Sequence, residues 1–284
     1  MGKADLHTHT TASDGSCSPE TLIGLASSKS LNTIAITDHD TIKGYLEAKP
    51  YAEKYSLRLL PGVEITALWG KREVHILGYC FSPTNTGLQD LLRKQRSARN
   101  DRMRQIVDQL QKMGVDIQFD EVRAVARSGT IARPHVAEVL IKKKYVASVS
   151  EAFIRYLGTS MLELLKIDYT DIRDVIQTLK DAGGASILAH PGPLYSTEDV
   201  EQLLSTGLDG LECIHPAHNF GQQKKYSEWA ERENLLVTGG SDYHGNGREY
   251  HPYFGIVTLS DKRVNDVLSL SVRRKKLLKN NHNG

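Results

Sequence analysis

Histidines and aspartates follow short apolar runs at several places in this chain, and this pattern restricts the fold more than any other feature. Three such runs span residues 33–37, 185–189 and 235–238, and the residues that follow them include His39, His190 and Asp242. Helical patterns separate the runs, so strands and helices alternate along the chain. In a barrel of parallel strands the carboxyl ends meet at one mouth, where active sites form. The sequence therefore predicts an α/β fold in which distant polar residues converge at the mouth of a barrel.

The first strand carries the densest motif, Asp5-Leu6-His7-Thr8-His9, which is followed by Asp14-Gly15. Residues two apart on an extended strand point to the same face, so the imidazoles of His7 and His9 lie side by side. Two imidazoles with a carboxylate on the next loop form the beginning of a metal site. Alone, the motif also fits polar residues at a strand edge that bind backbone or water. Its recurrence along the chain favours the metal site.

Composition restricts the partners of the protein. The net charge of +2 over 284 residues gives no bulk field that demands nucleic acid or a membrane. No apolar run approaches the length of a membrane span, and the N-terminus lacks the apolar core of a signal peptide. The three cysteines, Cys17, Cys80 and Cys213, form neither a zinc-ribbon spacing nor a disulfide framework. We therefore expect a cytoplasmic protein without a membrane partner.

The middle of the chain has a different character. From residue 88 to 157 the apolar spacing is helical throughout, and no strand pattern interrupts it. We therefore predict an all-helical insertion at 95–165 between two parts of a barrel, 1–94 and 166–272. Just before it, the runs 59–66 and 73–81 are too close for a crossover helix, which indicates an antiparallel pair. The basic, polar tail at 273–284 is expected to fray.

Arginines of the insertion are candidates for binding phosphate. Most basic residues between 93 and 104 fit a solvated helix face, but Arg99 and Arg102 are three apart and share a face. If that face overhangs the barrel mouth, both would meet a second phosphate of the substrate. Arg133 stands at a helix start, where the helix dipole also favours anions. Arginine is the better residue for bidentate contact with phosphate.

Together these motifs resemble the PHP (polymerase and histidinol phosphatase) family over essentially the whole chain. The segments 133–135 (Arg-Pro-His) and 156–158 (Tyr-Leu-Gly) are similar to the stand-alone phosphoesterases of that family, which include 3′,5′-nucleotide bisphosphatases and a 5′-to-3′ exoribonuclease. The resemblance implies a distorted barrel of about seven β/α units, (β/α)7, with a helical insertion. The matching motifs are His7-x-His9, Asp14-Gly15, Thr37-Asp38-His39-Asp40, Gly62-Val63-Glu64, His75, Ala189-His190-Pro191 and Gly240-Ser241-Asp242-x-His244.

The resemblance also implies a trinuclear metal site and its ligands. By that likeness, His7, His9, Glu64 and Asp242 hold one ion, Glu64, His75 and His190 a second, and Asp14, His39 and His244 a third. His190 and Asp242 are assigned to catalysis as well, and Arg133 and His135 to substrate binding. Two segments, 160–171 and 247–251, depart from the family pattern, which affects the substrate and not the metals.

The ligand set indicates the chemistry. Clustered divalent ions lower the pKa of a bound water toward ~7 and clamp the oxygens of a phosphate. Imidazole and carboxylate ligands without thiolate fit manganese, zinc or iron, about two or three ions in all. His218 lies outside the ligand set. It is a candidate for protonating the leaving oxygen or binding phosphate, and it equally fits an ordinary surface histidine.

We therefore predict a metal-dependent phosphoesterase that acts on a nucleotide or on the end of a short oligonucleotide, without an obligate protein partner. A histidinol-phosphate phosphatase is the second hypothesis, disfavoured because the basic insertion indicates more than one phosphate. A non-catalytic polymerase-accessory module is disfavoured by the complete ligand set. An amidohydrolase would need a bridging lysine, for which the sequence offers no candidate.

Overall fold

Eight strands form one curved sheet in the order β7-β6-β5-β4-β3-β2-β1-β8. The computed structural model describes residues 2–127, 129–162, 164–166, 168–192, 194–246, 248 and 250–282. The strands are β1 Lys3–Asp5, β2 Thr33–Ile36, β3 Arg58–Trp69, β4 Arg72–Tyr79, β5 Ala185–Leu188, β6 Gly210–Ile214, β7 Leu236–Gly239 and β8 Leu259–Ser260.

Helices connect most of the strands. They are α1 Pro19–Ser28, α2 Lys43–Lys54, α3 Thr86–Lys112, α4 Phe119–Ala126, α5 Arg133–Lys142, α6 Val149–Ala152, α7 Thr159–Leu162, α8 Ile172–Asp181, α9 Thr197–Leu204, α10 Phe220–Arg232 and α11 Asp261–His282, with a π-helical turn at Phe153–Leu157 and a 3₁₀ turn at His251–Tyr253. None of the helices in the described residues combines the length and the apolar character that crossing a membrane requires.

The sheet closes into a barrel through the segments that follow β1 and β7. Leu6 N donates to Gly239 O at 3.2 Å, and His9 N donates to Tyr243 O at 2.8 Å. Pairing is parallel from β1 to β3 and from β5 to β7. The carboxyl ends of these strands therefore meet at one end of the barrel, which we call the mouth. The predicted α/β barrel fold is confirmed by this topology.

One strand runs against the others. β4 is antiparallel to both β3 and β5, as the short gap between the two runs predicts. The β3–β4 connection turns at Gly70, whose φ of +62° is a conformation that costs glycine no steric strain. Because β4 runs from mouth to bottom, its first residues lie at the mouth. This explains how His75, early in β4, reaches the same end as residues that follow parallel strands.

The long helix α3 belongs to two hydrophobic clusters. Leu88 and Leu92 pack in the cluster that covers β3 to β6, whereas Met103 and Leu110 pack in a separate cluster with α4, α5 and the π-helical turn. The predicted boundary at 94/95 thus lies inside one continuous helix. The division into a barrel (1–94 and 166–272) and a helical insertion (95–165) stays a prediction, which the change of packing along α3 supports.

The basic tail differs from the expectation. Residues 273–282, predicted to fray, continue α11, and residues 283 and 284 lie outside the described part of the chain. Ser271 Oγ donates to Cys80 O and to Gly183 O, both at 2.8 Å, and Arg274 pairs with Asp209 at 2.7 Å. Gly183 and Asp209 precede β5 and β6. Helix α11 therefore packs across the bottom of the barrel, and these contacts hold the basic segment in place.

Buried side chains of α11 fill the bottom of the barrel, and their removal should destabilise the fold. Val267 is fully buried against the cluster that contains Leu6, Leu60 and Tyr79. We expect Val267→Ala to lower the free energy of unfolding by about 2 kcal/mol, measured by urea denaturation. Val272→Ala, on the same helix but with 66% of the side chain exposed, should change it by less than about 0.5 kcal/mol. Equal effects would mean that α11 does not close the barrel.

Candidate metal centre

Nine sequence-predicted ligands converge at the barrel mouth. They come from the segments after β1, β2, β5 and β7 and from within β3 and β4, and each has an imidazole nitrogen or carboxylate oxygen within 4 Å of another member of the set. They are His7, His9, Asp14, His39, Glu64, His75, His190, Asp242 and His244. Residues up to 237 positions apart in the sequence thus form one cluster of imidazoles and carboxylates.

Glu64 lies at the centre of this cluster. Its two carboxylate oxygens lie 2.8 to 3.3 Å from nitrogens of five imidazoles, those of His7, His9, His39, His75 and His190. Its side chain is almost completely buried. A carboxylate surrounded by so many potential ligands can bridge more than one ion.

Asp242 and Asp14 complete the cluster on its other side. Asp242 Oδ1 lies 3.2 Å from Nε2 of both His7 and His9. Asp14 lies 3.4 Å from His244 Nε2 and 3.8 Å from His39 Nε2. Because His244 Nδ1 is 2.9 Å from the carbonyl oxygen of Asp242, it carries the proton and donates. The unprotonated Nε2 of that ring therefore faces Asp14 and can serve as a ligand.

The donor atoms fit divalent ions. Four groups of residues each have ligand atoms within 4.8 Å of one another, and His7, His9, His39 and Glu64 each belong to two of them. The groups are His9-Asp14-His39-His244, His7-His215-Asp242, His7-His9-Glu64 and His39-Glu64-His75. Among the described residues, the buried Nδ1 and Nε2 of His9, Nδ1 of His39 and of His75, and Oδ1 of Asp242 have no hydrogen-bond partner. Buried polar atoms without partners are costly in a folded protein, and metal coordination would satisfy them.

The electrostatics also favour cations at this position. Burial by itself lowers the pKa of His9, but the adjacent carboxylates of Asp242 and Glu64 raise it to about 10. Burial likewise lowers the pKa of His75, which Glu64 and then Glu73 raise to about 9. The carboxylates thus stabilise positive charge at the centre of the cluster. Bound divalent ions would supply that charge in place of protons.

A layer of buried carboxylates behind the ligands was missed by sequence reasoning. Glu212 on β6 accepts from His7 Nδ1 at 2.9 Å and from His190 N at 2.8 Å, so a single side chain orients ligands of two strands. Asp5 accepts from Ser241 N at 2.9 Å, and Asp38 accepts from Thr10 N at 2.7 Å. Such outer partners fix the tautomer and direction of ligating histidines. Asp5 and Asp38 stand within the quoted motifs, whereas Glu212 has no sequence signature.

Two further histidines lie beside the cluster. His215 Nε2 is 3.4 Å from Asp242 Oδ2, although the predicted ligand set omits it. Its Nδ1 accepts from Ala217 N at 3.0 Å, so the neutral ring carries its proton on Nε2 and directs it at Asp242. His215 therefore suits a role in orienting Asp242 more than one as a ligand.

The ring of His218 is engaged by the backbone on both sides. Nδ1 donates to Cys213 O at 2.9 Å, and Nε2 accepts from Gly192 N at 3.0 Å. Burial lowers the pKa of His218, which agrees with a neutral ring. Neither nitrogen is left to protonate a leaving oxygen or to bind phosphate. The structure therefore favours a third role, in which His218 holds the loop after His190 in position.

The candidate substrate-binding residues divide into three cases. Arg99 is buried and pairs with Asp40 at 2.8 Å, and Arg102 is buried and pairs with Glu73 at 2.7 Å. Arg133 donates to Leu157 O at 3.2 Å. Buried His135 lies in the first turn of α5, and its Nδ1 accepts from the backbone N–H of the N-cap residue Ala132 at 3.0 Å. The prediction for Arg99 and Arg102 remains open, since both lie at the junction of α3 with the mouth and carboxylates offset their charge.

Three mouth residues adopt left-handed backbone conformations. The φ angles are +55° at Asp40, +31° at His190 and +51° at Asp242. Residues with a Cβ rarely adopt this region, and such strain concentrates at functional sites. At His190 the amide N–H is held by Glu212, so the carboxylate behind the ligand also stabilises its strained backbone.

Comparison with known proteins assigns a family to this architecture. The PHP domain matches residues 5–186, a stretch that contains six of the nine candidate ligands. The chain belongs to the PHP domain family. This match confirms the family that the sequence motifs indicated.

Curated relatives cover most of this PHP chain. The 5′-3′ exoribonuclease of Haemophilus influenzae is 36% identical, over 85% of this chain and 90% of its own length. Phosphoribosyl 1,2-cyclic phosphate 1,2-diphosphodiesterase of Eggerthella lenta is 31% identical, over 89% and 98%. The 3′,5′-nucleoside bisphosphate phosphatase of Chromobacterium violaceum is 30% identical, over 87% and 89%. A solved structure from Bifidobacterium adolescentis, assigned as a metal-dependent phosphoesterase, has a TM-score of 0.86 and 33% identity, over 94% of this chain and 96% of its own.

The role of Glu212 can be measured through metal affinity. Glu212→Gln keeps the volume but replaces one acceptor with an amide donor, so it cannot accept from both His7 and His190. We expect the affinity for Mn²⁺, measured by titration calorimetry, to fall about 10- to 100-fold.

A matched control tests the same chain segment without reaching the mouth. Asp209→Asn removes a half-buried carboxylate that directly precedes β6, where its partners are Ser186 and Arg274. This variant should bind Mn²⁺ as the parent does. An unchanged affinity in Glu212→Gln would mean that Glu212 only fills space inside the barrel.

Proposed function

We propose that this PHP protein hydrolyses phosphate esters of nucleotides, either 3′,5′-bisphosphonucleosides or the ends of short oligonucleotides. Its family and its likeness to a solved phosphoesterase make it a metal-dependent phosphoester hydrolase. The observation that carries the proposal is the overlap, at one mouth, of three metal-type groups composed only of the nine candidate ligands. The names of two relatives, an exoribonuclease and a nucleoside bisphosphate phosphatase, support a nucleotide substrate.

The nine converging residues would hold about two or three ions of manganese, zinc or iron. When bound, clustered divalent ions supply Lewis acidity that offsets the negative charge of a phosphoryl group. The protein's own contribution is to fix the donors before substrate arrives. Glu212 orients the ring of His7, and the carbonyl of Asp242 orients the ring of His244. Such preorganisation is what electrostatic catalysis requires.

The arginines beside the mouth support a substrate with a second phosphate. Arg99, Arg102 and Arg133 influence one another electrostatically, and burial together with Arg102 lowers the pKa of Arg133. Asp40 and Glu73 offset two of the three charges. Within the described residues, no carboxylate lies at ion-pair distance from Arg133. The cluster therefore has one uncompensated positive charge, which a phosphate would neutralise.

The location of the arginine cluster beside the metal centre also supports a second phosphate. Glu73 Oε1, which accepts from Arg102, lies 3.4 Å from Nε2 of the candidate ligand His75. The arginine cluster is thus one side chain away from the metal centre. A phosphate bound there would belong to the same molecule as the phosphate at the metals, as in a bisphosphonucleoside.

Loss of a central ligand should abolish hydrolysis together with metal binding. We expect Asp242→Asn to lower kcat/KM for phosphate release more than about 100-fold and to reduce the metal content of about two or three ions per chain, because a carboxylate near four imidazoles is lost. Elemental analysis and a phosphate-release assay with Mn²⁺ measure both quantities. Asp108→Asn, an exposed carboxylate on α3, makes the same change in net charge and should leave both unchanged. Retained metal and retained activity in Asp242→Asn would contradict the site.

Arg133 should matter for the second phosphate alone. We expect Arg133→Ala to lower kcat/KM for a 3′,5′-bisphosphonucleoside about 10- to 100-fold, since a charge-assisted contact to phosphate contributes ~1.5–3 kcal/mol. The matched monophosphate makes no such contact and should be hydrolysed as before. Arg104→Ala removes an exposed arginine of α3 that lies over the ring of Phe119 and serves as the control. Equal losses on both substrates would assign Arg133 to the metal-bound phosphate or to the fold.

A further inference from the structure

A cavity of about 880 Å³ adjoins the metal centre between the barrel mouth and the helices that follow α5. Asp14, Asp242 and His244, three of the candidate metal ligands, form part of its wall. Pockets for ligands of drug size have volumes of about 300–1,000 Å³. A phosphate ester held at the metals would therefore extend its alcohol part into this cavity.

The wall away from the metals carries an apolar patch. The patch is formed by Pro134, Val149, Phe153 and Ile154. Ile154 is 84% exposed, so a large aliphatic side chain faces solvent beside the cavity. An exposed apolar surface of this kind often marks a ligand-binding site. Phe153 and Ile154 begin the π-helical turn, a local structure that is frequent at functional sites.

An aromatic ring joins this cavity to the metal cluster. Tyr250 lines the cavity, and its ring packs edge-on against the ring of His215, with 5.3 Å between the centroids. His215 in turn lies 3.4 Å from Asp242. The aromatic surface therefore begins within two side chains of a central metal ligand.

We propose that this cavity seats the planar base of a nucleotide substrate, an inference that rests on the proposed phosphoesterase function. Bases bind to aromatic and apolar side chains with little dependence on their sequence, because every base has a π-face. Phe153, Ile154 and Tyr250 provide such surfaces in the same cavity that Asp14, Asp242 and His244 line. The seat selects phosphate esters that carry a base over those of a bare sugar.

Contacts of Phe153 link the base seat to the phosphate cluster. The guanidinium of Arg133 lies 5.2 Å from the centroid of the Phe153 ring, a cation–π distance. One ring thus touches the arginine proposed for the second phosphate and lines the cavity proposed for the base. Both groups belong to one nucleotide, so a single substrate can occupy the metals, the arginine and the cavity together.

Other occupants fit the cavity less well. A lipid chain would need an apolar channel, whereas Arg248, Ser148 and Ser150 interrupt the wall with polar groups. A base carries hydrogen-bonding edges between apolar faces and suits such a mixed lining. A bare sugar phosphate would leave the exposed Ile154 without a partner. The proposal therefore separates this chain from its relative named for a phosphoribosyl cyclic phosphate.

The test compares two substrates with the same phosphates. One is adenosine 3′,5′-bisphosphate, and the other is 1-deoxyribose 3,5-bisphosphate, which lacks the base. We expect Ile154→Ser to lower kcat/KM about five- to tenfold for the nucleotide, because apolar contact area is lost, and to leave the base-free compound unchanged. Ile256→Ser, with 72% of its side chain exposed and outside the cavity lining, is the matched control and should affect neither substrate.

Direct binding of adenosine, which has no phosphate, separates this inference from the proposed function. We expect equilibrium dialysis to show adenosine binding to the parent and weaker binding to Ile154→Ser. Adenosine binding without phosphate release from either compound would support the base seat and overturn the phosphoesterase assignment. Equal hydrolysis of both compounds by the parent, or equal losses on both in Ile154→Ser, would overturn the base seat and leave the phosphoesterase assignment standing.

Discussion

A single buried carboxylate, Glu64, holds the mouth of the barrel together. Its oxygens lie within 3.3 Å of five imidazoles from four separate parts of the chain. A buried charge is costly unless it is paired, and Glu64 raises the pKa of the neighbouring rings of His9 and His75, so that they can carry the positive charge that pairs it. Divalent ions would supply the same charge, with the surrounding rings as their ligands. The mouth therefore depends on positive charge beside Glu64, and metal binding would stabilise it.

Polar contacts join the helices after β4 to this mouth. Between its two hydrophobic clusters, α3 buries Gln95, Arg99 and Arg102, and these side chains reach Thr66, Asp40 and Glu73. Asp40 follows His39, and Glu73 contacts His75. A shift of α3 would therefore move residues that border the metal ligands. Ion pairs fix the position of α3 relative to the barrel mouth more strictly than apolar packing would. A displaced arginine would leave a buried carboxylate unpaired.

Sequence reasoning found the barrel from simple periodicity and several ligands from residue type at the ends of strands, whereas the full set of nine ligands came from the resemblance to the PHP family. It missed Glu212, since an acid inside an apolar strand has no recurrent spacing that marks it. The position of His218 depends on two backbone atoms, those of Gly192 and Cys213, which no pattern reports. The prediction that residues 273–282 fray was wrong for a different reason. Val264, Val267 and Ser271 recur on one helical face, but the basic residues beyond them were interpreted as a frayed end.

The left-handed backbone at His190 and Asp242 restricts how this site can change over time. Substitution of either residue would alter the ligand and the strained turn together, so gradual replacement has no stable intermediate. Phe153, Ile154 and Arg133 are not in the left-handed region and carry no such constraint. Substitutions at these helical positions can therefore change which phosphate ester is bound, while the residues of the metal centre stay the same. A family with one centre and several differently named activities is the expected result.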